Sequence, residues 1–194
     1  MRWMWRKAWH LLGLAFPLAY YFGNVPKLWV LVACGAAAAL AATVDFLRLN
    51  YPRAARPAVA LFGPLLRERE QKGFNSSWPY LVGAFLTILI FPKVIAFAAL
   101  LNLGLGDTAA EFMGRFFGRV RIFHGKTLEG TAGCAAACFL AAWYFVGWPV
   151  ALAGAVIAAA AELFSPGQSD NFIIPLASGA AMWLVSLFAG LPLS

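Results

Sequence analysis

Apolar runs long enough to cross a lipid bilayer recur from one end of this chain to the other. A hydrocarbon core about 30 Å thick needs roughly 17 to 25 apolar helical residues, fewer where the ends snorkel or the bilayer thins. Seven candidates occur, over residues 9–22, 28–49, 78–91, 93–105, 131–148, 149–164 and 172–191. Of the 194 residues, 62% are hydrophobic and 12% charged, too few charges to coat a water-soluble fold of this size. Lipid cannot hydrogen-bond a backbone, so such segments must satisfy their own amides as helices. The expected fold is therefore all-α: one polytopic transmembrane bundle of about seven helices, forming a single domain over 1–194. The third and fourth runs are short and separated by little more than Pro92, which leaves open that one is re-entrant. The stretch 57–66 is apolar but too short to span and is expected at the interface. Basic residues precede the first run, as in a signal peptide. No small-residue cleavage site closes it and further spans follow, so it is expected to stay as the first helix.

Charge sets the orientation. With the N-terminus inside, segments 1–8, 50–77, 106–130 and 165–171 are cytoplasmic. Together with Arg48 they hold all of the 15 Lys and Arg except Lys27 and Lys93. The positive-inside rule selects this orientation. All eight acidic residues, Asp45, Glu68, Glu70, Asp107, Glu111, Glu129, Glu162 and Asp170, fall on or near the same face. Carboxylates at span ends are costly unless they serve a polar site. The formal net charge of +7 has no separate basic domain behind it, so anionic lipids or a nucleotide are expected as partners and nucleic acid is not. Cys34, Cys134 and Cys138 lie in apolar runs and read as small buried hydrophobes. Alanine and glycine at 36–42 and 154–161 let helices approach closely.

Chemistry concentrates in 106–131, GDTAAEFMGRFFGRVRIFHGKTLEGT. Asp107 and Glu111 share a helix face, and Gly114 and Gly118 permit close approach of another backbone. Arg115, Arg119 and Arg121 follow, then Gly125-Lys126-Thr127 and Glu129-Gly130. A phosphate loop would need glycine at 120, where valine stands, and Gly118 is two residues too early. Lys126 between turn residues can still hold a phosphate as a point charge. The alternative is a basic loop anchoring the chain at the lipid surface. A second group is Glu162 with Asp170-Asn171, whose oxygens suit Mg²⁺, although Asp and Asn also cap helices. Arg6, Lys7 and His10 form a third group. Glu70, with Asn75-Ser76-Ser77-Trp78 after it, forms a fourth. Zinc-protease, serine-hydrolase and dinucleotide fingerprints are absent.

These blocks, taken in order, resemble the dolichol kinase, phytol kinase and CTP-dependent diacylglycerol kinase family. The resemblance rests on Arg6-Lys7-x-x-His10; on Glu70 before Asn75-Ser76-Ser77-Trp78; on Gly106-Asp107-Thr108-Ala109-Ala110 with Gly114-Arg115-x-x-Gly118; on Gly125-Lys126-Thr127-Leu128-Glu129-Gly130-Thr131; and on Glu162, Asp170-Asn171 and Pro175. It spans nearly the whole chain, and the middle block is its most specific part. The chain departs from the family pattern at Asn75-Ser76-Ser77, and Glu68 competes with Glu70 for the glutamate position.

The resemblance implies Mg²⁺-dependent transfer of the γ-phosphoryl of CTP, or another nucleoside triphosphate, to the hydroxyl of a polyprenol, phytol-like alcohol or diacylglycerol. Lys126, Arg115 and Arg119, with Gly125, Thr127 and Gly130, would bind the nucleotide phosphates. Asp107, Glu129, Asp170 and Asn171 would hold Mg²⁺. Asp107, Lys126, Asp170 and His10 would be catalytic, with Arg6, Lys7, Glu70 and Glu162 in support. The site would face the cytoplasm, and in a prokaryote the membrane would be the inner, cell membrane. A CTP:phosphatidate cytidylyltransferase shares part of the middle block. It normally closes on a Gly-His-Gly-Gly-x-x-Asp-Arg signature where this chain reads Ser165-Pro166-Gly167-Gln168-Ser169-Asp170-Asn171. A small transporter or structural membrane protein is the rival from another class, but a transporter places ionisable groups at mid-membrane, where these spans carry almost none.

Overall fold

The computed structural model describes residues 12–51, 77–165 and 169–190. Its helices are α1 (Ala15–Phe22), α2 (Lys27–Asn50), α3 (Ser77–Ile90), α4 (Lys93–Leu101), α5 (Asp107–Phe116), α6 (Leu128–Val146), α7 (Trp148–Phe164) and α8 (Asp170–Phe188). Among the described residues there is no β-strand, only an isolated antiparallel bridge between Arg121 and Thr127. The all-α membrane bundle is thus the fold. Four helical stretches are long and apolar enough to cross a membrane: Lys27–Asn50, Lys93–Phe116, Leu128–Val146 and Asp170–Phe188. Ser77–Ile90 and Trp148–Phe164 are shorter apolar helices packed among them.

The helix of the fourth run extends beyond the expected 93–105. A π-helical turn, Asn102–Gly106, joins α4 to α5 without a break, so the helix runs on to Phe116. Asp107, Glu111 and Arg115 therefore stand on helical turns. Gly104 and Gly106 lie inside this helix. In the fold they are small for packing reasons. A Cβ on Gly104 would strike the Leu14 side chain, and one on Gly106 would come 2.5 Å from the Cys138 sulfur. Wide π turns of this kind concentrate at functional sites. Here Thr108 helps to hold the turn, its hydroxyl donating to the Gly104 carbonyl at 2.7 Å.

The α4–α5 helix is the axis of the bundle. Of its most apolar window 72% is buried, against 22% for α2 and α6, and every residue from Val94 to Leu101 is buried. A helix apolar on all sides belongs in the centre. The ends of its neighbours are set by backbone chemistry. Gly147, at φ 78°, ends α6 and caps α7, and Pro149 sits at the start of α7, where its missing amide costs nothing. The two helices thus form a tight antiparallel pair. Pro26 and Pro92 play the corresponding part ahead of α2 and α4. The outer half of the core is aromatic: Tyr21 stacks on Phe97 at 4.4 Å, and Phe145 meets the Phe97 ring edge-on at 4.9 Å.

Candidate functional site

The polar end of the bundle begins where α5 and α6 cross. Ala110, Gly114 and Gly106 on one side face Gly130, Cys134 and Cys138 on the other. A Cβ on Gly130 would lie 2.8 Å from the Ala110 carbonyl and 3.3 Å from the Gly114 Cα. No side chain fits between these backbones, which is the close approach expected of the Gly114–Gly118 pair. A Cβ on Gly118 would collide with the Gly114 carbonyl. The glycines of this block therefore build a crossing, with Gly114 against the start of α6 and Gly106, beside Asp107, against Cys134 and Cys138 farther along it.

Between α5 and α6 the chain makes a small hairpin. The Lys126 amide donates to Phe123 at 2.8 Å, and His124 and Gly125 have φ of 47° and 79°. Two successive positive φ values define the type I′ turn that suits a two-residue hairpin, and glycine takes the second without strain. Ile122 donates to Lys126 and Leu128 to Val120, both at 2.9 Å. The foot of the hairpin is fixed by Thr127. Its extended backbone precedes the helix, and its hydroxyl accepts the Gly130 amide at 3.1 Å, as an N-cap does. Glu129 turns both carboxylate oxygens back onto the Val120 amide, each at 3.3 Å. That geometry gives Glu129 a structural use, and a metal-binding role for it draws no support from it.

At the tip of the hairpin the Lys126 ammonium is 2.9 Å from Glu162 Oε1 near the end of α7, and it also donates to the Glu162 backbone carbonyl. Glu162 is 7% exposed. A carboxylate that deep needs a partner, and Lys126 provides it. Asp107 stands at the start of α5 beside Gly106, where a Cβ would come 3.1 Å from the Cys134 sulfur of α6. On the far side, α8 begins with Asp170, whose carboxylate accepts the Asn171 amide at 2.8 Å. The α8 backbone at Asn171–Phe172 lies hard against Gly83 of α3, where a Cβ would be 2.9 Å from the Asn171 carbonyl.

The structure thus brings Lys126 and Glu162 into direct contact, with Asp107 at the α5–α6 crossing. Arg115, Arg119 and Gly125 are exposed, Thr127 is half-buried and Gly130 is buried. Arg6, Lys7, His10 and Glu70 lie outside the described residues, as do 166–168. No group of three or more His, Cys, Asp and Glu side chains converges among the described residues. A cage made wholly of protein ligands is therefore absent there. Mg²⁺ does not need one, because it takes one or two carboxylates and completes its shell with water and phosphate oxygens. Asp107 and Asp170, each half-buried at the polar end, are compatible with that mode.

Two polar residues escaped the motif reading. Asp45, fully buried near the end of α2, pairs with Arg48 at 3.0 Å. Asn102, also fully buried, opens the π turn, and its carboxamide has no hydrogen-bond partner among the described residues. Each carried one signal, a polar side chain inside an apolar run, which marks function more often than accident.

No family model matches the chain, and no solved structure matches it. Curated proteins do. CTP-dependent diacylglycerol kinase 1 of Schizosaccharomyces pombe is 29% identical over 163 residues, which cover 74% of this chain and 75% of that protein. The protein of the same name from Saccharomyces cerevisiae is 26% identical over 170 residues, 72% of this chain and 58% of its own length. That from Eremothecium gossypii is 28% identical over 177 residues, 75% of this chain and 55% of its own length. The chain thus spans somewhat over half of the last two. Over about three quarters of its length this helical membrane protein is thus similar to CTP-dependent diacylglycerol kinases, which supports the lipid-alcohol kinase family that its motifs resemble.

Proposed function

We propose that the chain is a membrane lipid-alcohol kinase that uses CTP as phosphoryl donor. The observation that carries this reading is the Lys126 hairpin held on Glu162, at the end of the bundle where α5, with Asp107 at its start, crosses α6. Three blocks distant in sequence, all within the family resemblance, supply a cation and two carboxylates at one end of a lipid-embedded bundle. Phosphoryl transfer asks for little else, since positioning and charge neutralisation do most of the catalysis.

In this reading Lys126, with Arg115 and Arg119, binds the nucleotide phosphates, and the Gly125–Thr127 backbone lets them approach. Asp107 and Asp170, assisted by Asn171, would hold Mg²⁺, which supplies neutralisation of the β- and γ-phosphate charge. Asp107 would also accept the proton of the lipid hydroxyl. The hydroxyl oxygen then bonds to the γ-phosphorus, the bond from that phosphorus to the β–γ bridging oxygen breaks, and CDP leaves. His10, Arg6, Lys7 and Glu70 would complete the acceptor side. The acceptor is diacylglycerol, a polyprenol or a phytol-like alcohol, and the positive-inside count puts the site on the cytoplasmic face.

The test is purified protein with γ-labelled or α-labelled CTP or ATP, Mg²⁺ and each lipid alcohol in turn. The expected products are CDP and a γ-labelled lipid phosphate. Pyrophosphate with an α-labelled CDP-lipid would assign the cytidylyltransferase chemistry instead. Full activity in Asp107→Asn or Lys126→Ala would remove the residue assignment.

A further inference from the structure

The hairpin carries more apolar surface than a phosphate-binding loop needs. Every residue from 115 to 125 is exposed. Among them Phe116, Phe117, Val120, Ile122 and Phe123 are between 40% and 58% exposed. Apolar side chains gathered this densely on a water-facing surface mark a site of contact with another phase or partner. Arg119 and Arg121 are interleaved with them, and the segment contains no acidic residue.

Helix lengths say where this surface lies. Measured from the sharp α6–α7 turn at Gly147, α7 reaches about 25 Å to Phe164 and α6 about 28 Å back to Leu128, at the α-helical rise. Both ends therefore stop near the inner edge of a hydrocarbon core about 30 Å thick. The α4–α5 helix runs farther, about 36 Å from Lys93 to Phe116. The chain thus overshoots the hydrocarbon edge at Phe116 and comes back down through the hairpin. The tip is then fastened at the level of the last turns of α7 by Lys126 on Glu162. Phe123 lies edge-on to Phe164 at 5.3 Å, and both rings are exposed. The hairpin is folded back against the end of the bundle at headgroup depth.

We propose that the 116–124 hairpin is a membrane-surface foot that inserts Ile122 and Phe123 among the lipid headgroups and binds anionic phospholipid through Arg121. The partner is the lipid surface itself. Apolar side chains facing outward at that depth are stabilised by acyl chains, and the cationic groups between them match anionic headgroups, which attract each nearby Lys or Arg. The Lys126–Glu162 contact fixes the foot from the protein side. Arg121 is outside the residues assigned to the nucleotide, so the inference stands whether or not the kinase chemistry does.

Spin-label depth measurement tests it. The three native cysteines that would compete for label, Cys34, Cys134 and Cys138, are buried with no exposed surface. Full-length protein carrying Ile122→Cys is labelled and placed in nanodiscs of phosphatidylcholine alone, or with a third of the lipid as phosphatidylglycerol. The expected result is a label more accessible to oxygen than to a water-soluble nickel chelate, by several-fold. The depth increases with phosphatidylglycerol, and Arg121→Gln loses that increase. A label as open to the nickel chelate as one at an aqueous site overturns the foot. Immersion that is equal in both lipids, or an increase that survives Arg121→Gln, overturns the anionic recognition. Residue 122 is exposed and makes no core contact, and an unchanged helical signal confirms that each labelled protein is folded.

Discussion

The two ends of the bundle are packed by opposite means. At the outer end large rings fill the space: Tyr21, Phe97 and Phe145 interlock, Phe91 meets Trp183 at 5.8 Å, and the Lys93 ammonium lies 5.5 Å above the Tyr20 ring. At the polar end side chains are nearly absent from the helix crossing, and Gly106, Ala110 and Gly114 meet Gly130, Cys134 and Cys138 almost backbone to backbone. Rings hold helices apart at a defined distance and tolerate small shifts. A glycine crossing tolerates none, because each atom of clearance is already used. The difference follows from what each end holds. The aromatic end holds only the helices together, whereas the polar end must also hold Lys126 on Glu162 and set Asp107 at the α5–α6 crossing.

That contrast is best broken at Lys126. Lys126→Ala should lower phosphotransfer by about a hundredfold or more, the scale of losing a preorganised charge at a reacting phosphate. It also strands the buried Glu162 carboxylate, a loss of about 3 kcal/mol in stability. Lys126→Ala combined with Glu162→Gln should recover most of the stability and none of the activity, measured by thermal unfolding in detergent and by turnover. Equal stability in the single and double variants would show that the pair is not buried in operation.

A packing test comes next. Phe97→Ala at the outer end should cost about 3 kcal/mol through lost contacts and a cavity. The turnover of the folded fraction should stay within about twofold of the parent, because a change of that size is less than 1 kcal/mol at the transition state. Gly130→Val at the polar end should cost about 2 kcal/mol by overpacking against the Ala110 carbonyl. Its turnover should fall at least as much as that of Glu162→Gln, since the crossing sets the hairpin. Were Phe97→Ala to inactivate and Gly130→Val to remain active, the division between the two ends would be reversed.

The smallest effect is at Asn102. A buried carboxamide without a partner is costly, so Asn102→Leu should leave stability unchanged or raise it by about 1 kcal/mol. A drop in turnover at unchanged stability would sharpen the comparison by adding the π turn to the functional end. A clear loss of stability would show instead that the carboxamide has a partner in the working protein.

Much of this was legible in the residues. The apolar runs at 28–49, 131–148, 149–164 and 172–191 correspond to α2, α6, α7 and α8 within a few residues, because a lipid-spanning helix is specified by local hydropathy alone. The start of α4 at Lys93 was equally plain, with Pro92 before it. The continuation through Asn102–Gly106 was not. Glycine reads as a breaker in isolation, and only the Leu14 and Cys138 side chains opposite explain why glycine is needed inside this helix. At the site, the grouping of Lys126, Asp107 and Glu162 was expected from the motif blocks. The use of Glu129 as a tie to Val120 was not, since a carboxylate in a motif gives no sign of which backbone amide it will meet.

Sequence by itself determined that this chain is a helical membrane protein with its charge gathered largely between its apolar runs or at their ends. Those properties depend on each residue's free energy of transfer between water and lipid, a quantity that adds up along the chain without reference to neighbours. Tertiary structure alone decided that Lys126 rests on Glu162, that Gly106, Ala110 and Gly114 cross α6 almost backbone to backbone, and that the hairpin tip folds back onto the end of α7. Those outcomes depend on which backbones can touch, and that is fixed only when α5, α6 and α7 are packed together.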